Sequence, residues 1–320
     1  MMTKIMNKKN YKFKDYIAYK KLKLCLPKSL KHFCQLYPTM KFKRNYDNTF
    51  SIFHNEKFVC KSEPWGKLQK ALNCDALSIF ASGPSLLNQD LAKTTGNATI
   101  FVNSAIKLTE TYDFKGETVF VVMDQYVVAV EFEMIKTALK SNAHCVFTPE
   151  TIRLICDRDP RLLLNGNIYV MENILNGFNI ALSHNEFLDY AKVNSDVIYI
   201  KDKLTVYSDT IGCSLDPVLG LFCMATVTFC ALQLALFCKP KNIYLLGFDM
   251  TFAGKVHATS YADESKMGSP NFLYESEVQP AFELASKAAK ERNINLVNLS
   301  PVSILPETII PKQKFEDIFK

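Results

Sequence analysis

Four short stretches carry side chains and backbone that can do chemistry. The first is Ser82-Gly83-Pro84-Ser85, which interrupts an apolar run before leucines resume at Leu86 and Leu87. Gly83 lets a ligand approach the backbone, amides at a helix start favour anions, and Ser82 and Ser85 add hydroxyl donors. The same four residues also read as a plain strand-to-helix turn with Ser85 as its N-cap. The loop is no Walker sequence, because no Gly-Lys-Ser/Thr follows, and no Gly-x-Gly-x-x-Gly is present. A cradle this small suits a single phosphate, as in a nucleoside monophosphate ester. The second and third stretches are Asn103-Ser104 and Asp124-Gln125. The fourth runs from Gly247 to Ser265 and holds Asp249, His257 and the adjacent acids Asp263 and Glu264. Asp249 can hold a sugar hydroxyl, orient a base or simply cap a loop. His257 titrates near neutrality and suits general-base work, or is an exposed loop histidine. Asp263 and Glu264 supply one catalytic carboxylate or a solvated pair. No His/Cys/carboxylate spacing points to a bound metal.

Each of these stretches follows a short apolar, β-branched run. Strand patterns cover 76–81, 98–103, 118–123, 143–148, 167–171, 196–200, 242–247 and 294–299, and helical patterns lie near 126–140, 149–156, 218–238 and 275–292. Alternation of this kind predicts an α/β fold with a doubly wound, mostly parallel sheet. Ligands of such sheets bind beyond the carboxyl ends of the strands, where the four polar stretches fall. Residues 49–60 read as a β-hairpin. Residues 172–217 are the least periodic part and suit a lid or insertion. The charge-free run 218–238 meets the length of a membrane span, but it contains Thr226, Thr228 and Gln233 and hands over to a strand through Lys239-Pro240-Lys241. A core helix, apolar all round, is the expectation.

The charge is unevenly divided. Residues 1–45 carry 13 Lys or Arg and one acid, a net +12, so with the chain at +6 the remainder is at −6. The lysines interleave with Tyr, Phe, Ile and Leu, a pattern that fits an anionic membrane surface, a nucleic acid or a solvated basic helix packed on the body. The expected organisation is a basic arm over 1–45, a hairpin and linker over 46–75, and the α/β domain over 76–320. None of the ten cysteines forms a Cys-x-x-Cys pair, which points to a reducing compartment without structural disulfides or zinc. No uninterrupted apolar run precedes residue 45, so a secretory leader is not expected and the chain is placed on the cytoplasmic side.

The order "SGPS", "VNSA", "MD", a long apolar helix, "IYLLGFD" and a "DES" loop resembles bacterial CMP-sugar glycosyltransferases over roughly residues 76–310. The likeness is greatest to lipopolysaccharide-core transferases that add a third Kdo, and more distant to Rossmann-like bacterial sialyltransferases. The resemblance implies a Rossmann-like fold, a CMP-Kdo or CMP-sialic acid donor and transfer without a metal or other cofactor. Ser82, Gly83, Pro84, Ser85, Asn103 and Ser104 would hold the CMP portion, with Gly247 and Asp249 lining the cytidine or sugar pocket. Asp124 and Tyr261 would lie near the donor sugar. His257, Asp263 or Glu264 would be the base that deprotonates the acceptor. His257 follows Asp249 sooner than the sialyltransferase pattern expects, so the choice among the three stays open. The implied partners are the CMP-sugar, an anionic glycolipid acceptor and, through residues 1–45, the inner face of the bacterial inner membrane; no nucleic acid is expected. The alternatives are a pterin pyrophosphokinase-like ATP enzyme and a non-catalytic lipid- or RNA-binding module.

Overall fold

The computed structural model describes residues 39–123, 125–174, 184–200, 210–250 and 274–320. Its centre is a seven-stranded, all-parallel sheet made of β4 (Ala76–Phe80), β5 (Ala98–Val102), β6 (Thr118–Val122), β7 (His144–Phe147), β8 (Asn167–Val170), β11 (Asn242–Leu246) and β12 (Asn295–Asn298). The strand order is β12-β11-β4-β5-β6-β7-β8. From β4 the chain steps outward strand by strand to β8. It then returns to the other side of β4, so the winding reverses between β4 and β11. The fold is therefore α/β and doubly wound, as expected.

Helices cover both faces. On one face α1 (Trp65–Ala71), α5 (His184–Val193), α6 (Val227–Cys238) and α7 (Gln279–Glu291) join a core that includes Leu77, Ile79, Ile100, Val119 and Val121. On the other, Phe80, Phe101, Phe120 and Phe147 pack with α2 (Gln125–Val130), α3 (Glu133–Lys140), α4 (Pro149–Arg158) and the short C-terminal α8 (Phe315–Ile318). Both faces are buried, which explains strands that read as continuous apolar runs.

Three expectations need correction. First, Met40–Arg44, counted in the basic arm, form β1, the edge of a three-stranded antiparallel sheet with β2 (Phe50–His54) and β3 (Lys57–Lys61). Lys41, Lys43 and Arg44 lie along that edge and discourage further pairing. The β2–β3 hairpin is closed by Asn55 and Glu56, both at positive φ, as a turn matched to strand twist requires. The rest of the arm, residues 1–38, lies outside the described residues. Second, β9 (Val197–Ile200) does not join the main sheet; it pairs antiparallel with β10 (Ile211–Ser214). Third, the helical run 126–140 is two helices, α2 and α3.

The run 218–238 is also shorter as a helix than its apolar length suggests. A 3₁₀ turn spans Pro217–Leu219, Ala225 sits at φ 53°, and Thr226 caps α6 by accepting the Thr228 amide at 3.3 Å. The 12 residues of α6 measure roughly 18 Å, well under the ~30 Å hydrocarbon core. Among the described residues no helix is long and apolar enough to cross a membrane. Instead α6 lies across β4, β5 and β6. Gln233, in the middle of α6, is fully buried and makes four hydrogen bonds. Oε1 accepts from the Ser214 and Phe222 amides at 2.8 and 3.1 Å, and Nε2 donates to the Phe222 and Phe229 carbonyls at 2.8 and 3.2 Å.

Candidate functional site

The reversal of winding puts the loops after β4 and β11 side by side, and crevices of open α/β sheets form at such a point. Here the two chains stay paired past the strand ends. The Ala81 amide donates to Leu246 O at 2.8 Å, and the Gly83 amide to Gly247 O at 2.8 Å. Both glycines are required by this approach. A Cβ on Gly83 would stand 2.3 Å from Gly247 O and 2.6 Å from the Asp249 carboxyl carbon. Gly247 has φ +65°, and its Cβ would stand 2.6 Å from Ala81 O.

The close approach lets Asp249 reach the start of the 3₁₀ helix Pro84–Asn88. Its buried carboxylate accepts the Ser85 amide through Oδ2 at 2.8 Å and the Ser85 hydroxyl through Oδ1 at 2.5 Å. From the far side, Ile304 donates its amide to Asp249 O at 3.1 Å, and the Phe248 amide donates to Ser300 Oγ at 2.7 Å. Ser85, Gly83, Gly247 and Asp249 thus form one locked unit, assembled from segments about 160 residues apart.

This unit changes the reading of the first loop. The Gly83 and Ser85 amides are engaged as above, and the Leu86 amide donates to Gly83 O at 3.3 Å. Pro84 has no amide hydrogen. Residues 83–86 therefore lock the β4 and β11 loops together, and their amides are not presented to a phosphate.

One strand away, Asn103 ends β5 in a left-handed conformation at φ 51°. Its side-chain oxygen is buried and has no hydrogen-bond partner among the described residues. An acceptor left this way costs free energy unless something donates to it, roughly 1–3 kcal/mol. Ser104, beside it, is fully buried. Neighbouring strands lie about 5 Å apart, so the ends of β11, β4 and β5 present a polar edge roughly 10 Å wide, the scale of a nucleoside.

Sequence reasoning passed over three further groups of charged residues, none of them at the β11, β4 and β5 ends. Glu150, in the first turn of α4 beyond β7, has its carboxyl pushed above the usual range by burial. It neighbours Thr148, whose hydroxyl donates to Met123 O at the end of β6 at 3.3 Å. Glu172, after β8, pairs with Arg44 of β1. The triplet Asp157-Arg158-Asp159, an Asp-x-Asp, was also overlooked as a metal-site candidate. Asp157 faces His54 Nε2 at 3.2 Å and Arg153 Nη1 at 2.8 Å, and Asp159 binds Arg161 at 2.8 Å. Those carboxylates are satisfied by protein cations, and no cluster of three or more His, Cys, Asp or Glu suited to a metal occurs among the described residues.

Of the residues singled out from sequence, the structure brings together Gly83, Ser85, Gly247 and Asp249 and places Asn103 and Ser104 at the next strand end. Ser82 and Pro84 belong to the same loop. Asp124, His257, Tyr261, Asp263 and Glu264 lie outside the described residues.

No family model matches the sequence, and no curated protein or solved structure matches it significantly.

Proposed function

We propose that the crevice over β11, β4 and β5 binds the CMP portion of an activated 2-keto sugar acid, and that the protein is a glycosyltransferase. The observation that carries this reading is the tight Gly83–Gly247 junction at the point where winding reverses, with the unpartnered Asn103 oxygen one strand away. The junction fixes the β4 and β11 loops against each other, with the Asp249 and Leu86 side chains packed into it. The Asn103 amide offers a fixed polar contact to a ribose hydroxyl or a base amine.

The reaction would be displacement at C2 of the donor sugar. The acceptor hydroxyl loses its proton to a general base, its oxygen bonds to C2, and CMP departs with the electron pair of the C2–O bond. His257, Asp263 and Glu264 remain the proposed bases. Catalysis would come from positioning, exclusion of water and proton removal, without a metal. Kdo is the preferred donor sugar on the resemblance, with sialic acid as the related choice, and the acceptor would be lipopolysaccharide or lipooligosaccharide core. The basic residues near the N-terminus would hold the protein to the anionic inner face of the inner membrane, each lysine contributing about 1 kcal/mol.

The engaged amides of Gly83, Ser85 and Leu86 favour a second reading, a non-catalytic module with a closed nucleotide crevice. A thermal-shift titration with CMP, CTP, ATP and GTP, each with and without EDTA, separates the two. A CMP-selective rise that ignores EDTA is expected. A flat response to every nucleotide favours the module, and an ATP response that needs Mg²⁺ points to a pyrophosphokinase-like enzyme.

A further inference from the structure

Eight cysteines of the described residues are free thiols, and among them one pair has touching sulfurs. Cys230 Sγ, in the first turn of α6, lies 3.6 Å from Cys223 Sγ, in the segment leading into that helix. Met123 Sδ, at the end of β6, stands 3.8 Å from Cys230 Sγ on another side. We propose that Cys223 and Cys230 are a redox modification site, closing to a reversible disulfide at the carboxyl edge of the sheet when the protein meets a peroxide.

The geometry asks for little movement. A disulfide needs its sulfurs near 2.05 Å, so the pair must close by about 1.5 Å. Cys223 lies in an irregular stretch between the Asn173–Leu221 bridge and the Thr226 cap, where Ala225 already holds a left-handed turn. That stretch can give where a helix interior cannot. Cys223 is half-buried and reaches solvent, whereas Cys230 is buried behind it. The two therefore have different roles. The hydrogen bond to Cys223, together with burial, pushes the Cys230 thiol well above its ordinary pKa and keeps it protonated.

The steps balance. The Cys223 sulfur attacks one peroxide oxygen, the O–O bond breaks, and a sulfenic acid and one water result. The Cys230 sulfur then attacks the Cys223 sulfur, the S–O bond breaks, and the hydroxyl leaves as a second water with the Cys230 proton. Two thiols lose two electrons and two protons, and hydrogen peroxide becomes two waters. A cellular dithiol would reverse the change. Among the described residues, Cys145 and Cys213 have no second sulfur in contact, and burial is the first cause that pushes each of them up. The disulfide would tie the Cys223 segment to α6 beside Met123, immediately before Asp124.

The test uses the full chain with hydrogen peroxide, followed by alkylation, proteolysis and tandem mass spectrometry. The expected product is a peptide two hydrogens lighter, with Cys223 linked to Cys230, restored by dithiothreitol. In Cys230→Ser, dimedone should trap Cys223 as a sulfenic acid that the native protein does not accumulate. Full alkylation of both thiols after peroxide would overturn the proposal. So would a linkage from Cys223 to a different cysteine. Linkage mapping on the native chain decides the matter if the variant does not fold.

Discussion

Gln233 and Asn103 are both amide side chains held inside this protein, yet the first has all four of its hydrogen bonds and the second has a buried oxygen with none among the described residues. Gln233 sits in the middle of α6 and ties β10 and the Leu221–Cys223 segment to the helix. Asn103 sits at a strand end on the polar edge of the sheet. A buried polar group with every partner inside the chain holds architecture together. One left without a partner, as Asn103 Oδ1 is among the described residues, can take a donor from outside. The Ser85–Asp249 pair lies between these extremes, since its bonds are internal but their effect is to lock the β4 and β11 loops together.

Substitutions can break or sharpen this contrast. The largest effect is expected at Gln233→Leu, which leaves the Ser214 and Phe222 amides buried without acceptors. Stability should fall by about 3 kcal/mol or more in urea unfolding at constant m-value. A loss below about 1 kcal/mol would mean that Gln233 does not hold α6 in place. Gly247→Ala forces a side chain onto a positive φ and toward the Ala81 carbonyl, so a loss of roughly 2 kcal/mol is expected. CMP binding should fall with it; an unaltered CMP response would detach the junction from the site. Ser85→Ala removes one of the two donors to Asp249 and should cost about 1.5–3 kcal/mol in the same unfolding assay.

Asn103→Gly reverses the pattern. Glycine accepts φ 51° without strain and removes the buried acceptor, so the stability of the free protein should hold or rise, by up to about 3 kcal/mol. Affinity for CMP should instead fall about tenfold, or about 1.4 kcal/mol.

The smallest effect is expected at the opposite edge of the sheet. Burial lowers the pKa of His144 below its ordinary value of 6.5, against the pull of Glu117. From the amino end of β7, its Nδ1 lies 3.0 Å from the hydroxyl of Tyr169 on β8. A lowered pKa means that the folded state prefers the neutral ring. That stabilisation is present above 6.5 and is lost as pH falls through the folded value. Thermal melts between pH 7.5 and 5 should show this loss, and His144→Gln should flatten the profile without altering CMP binding. A profile as steep in the variant as in the native chain would assign the pH dependence elsewhere.

Much of this fold was legible in the sequence. Short apolar, β-branched runs such as ALSIF, ATIFV and TVFVV marked the central strands, because a parallel sheet buried on both faces needs them. The polar stretches at strand ends were legible for the same reason. Strand order was not, because it depends on which loops meet. The Gly83–Gly247 contact and the Ser85–Asp249 pair therefore became visible only in three dimensions, and they turned an apparent phosphate cradle into a locked junction. The strand β1, with sequence MKFKR, hid among lysines because edge strands carry charge to avoid further pairing. The run 218–238 concealed a Thr226 cap within uniformly apolar surroundings, so its true helix is 12 residues.

The most direct measurement is a calorimetric titration of CMP into the native chain and into Asn103→Gly. The crevice account predicts saturable, one-to-one binding that weakens about tenfold in the variant, while the free variant unfolds at the temperature of the native chain or above it. No CMP binding to the native chain, or equal affinity in the two, would contradict it.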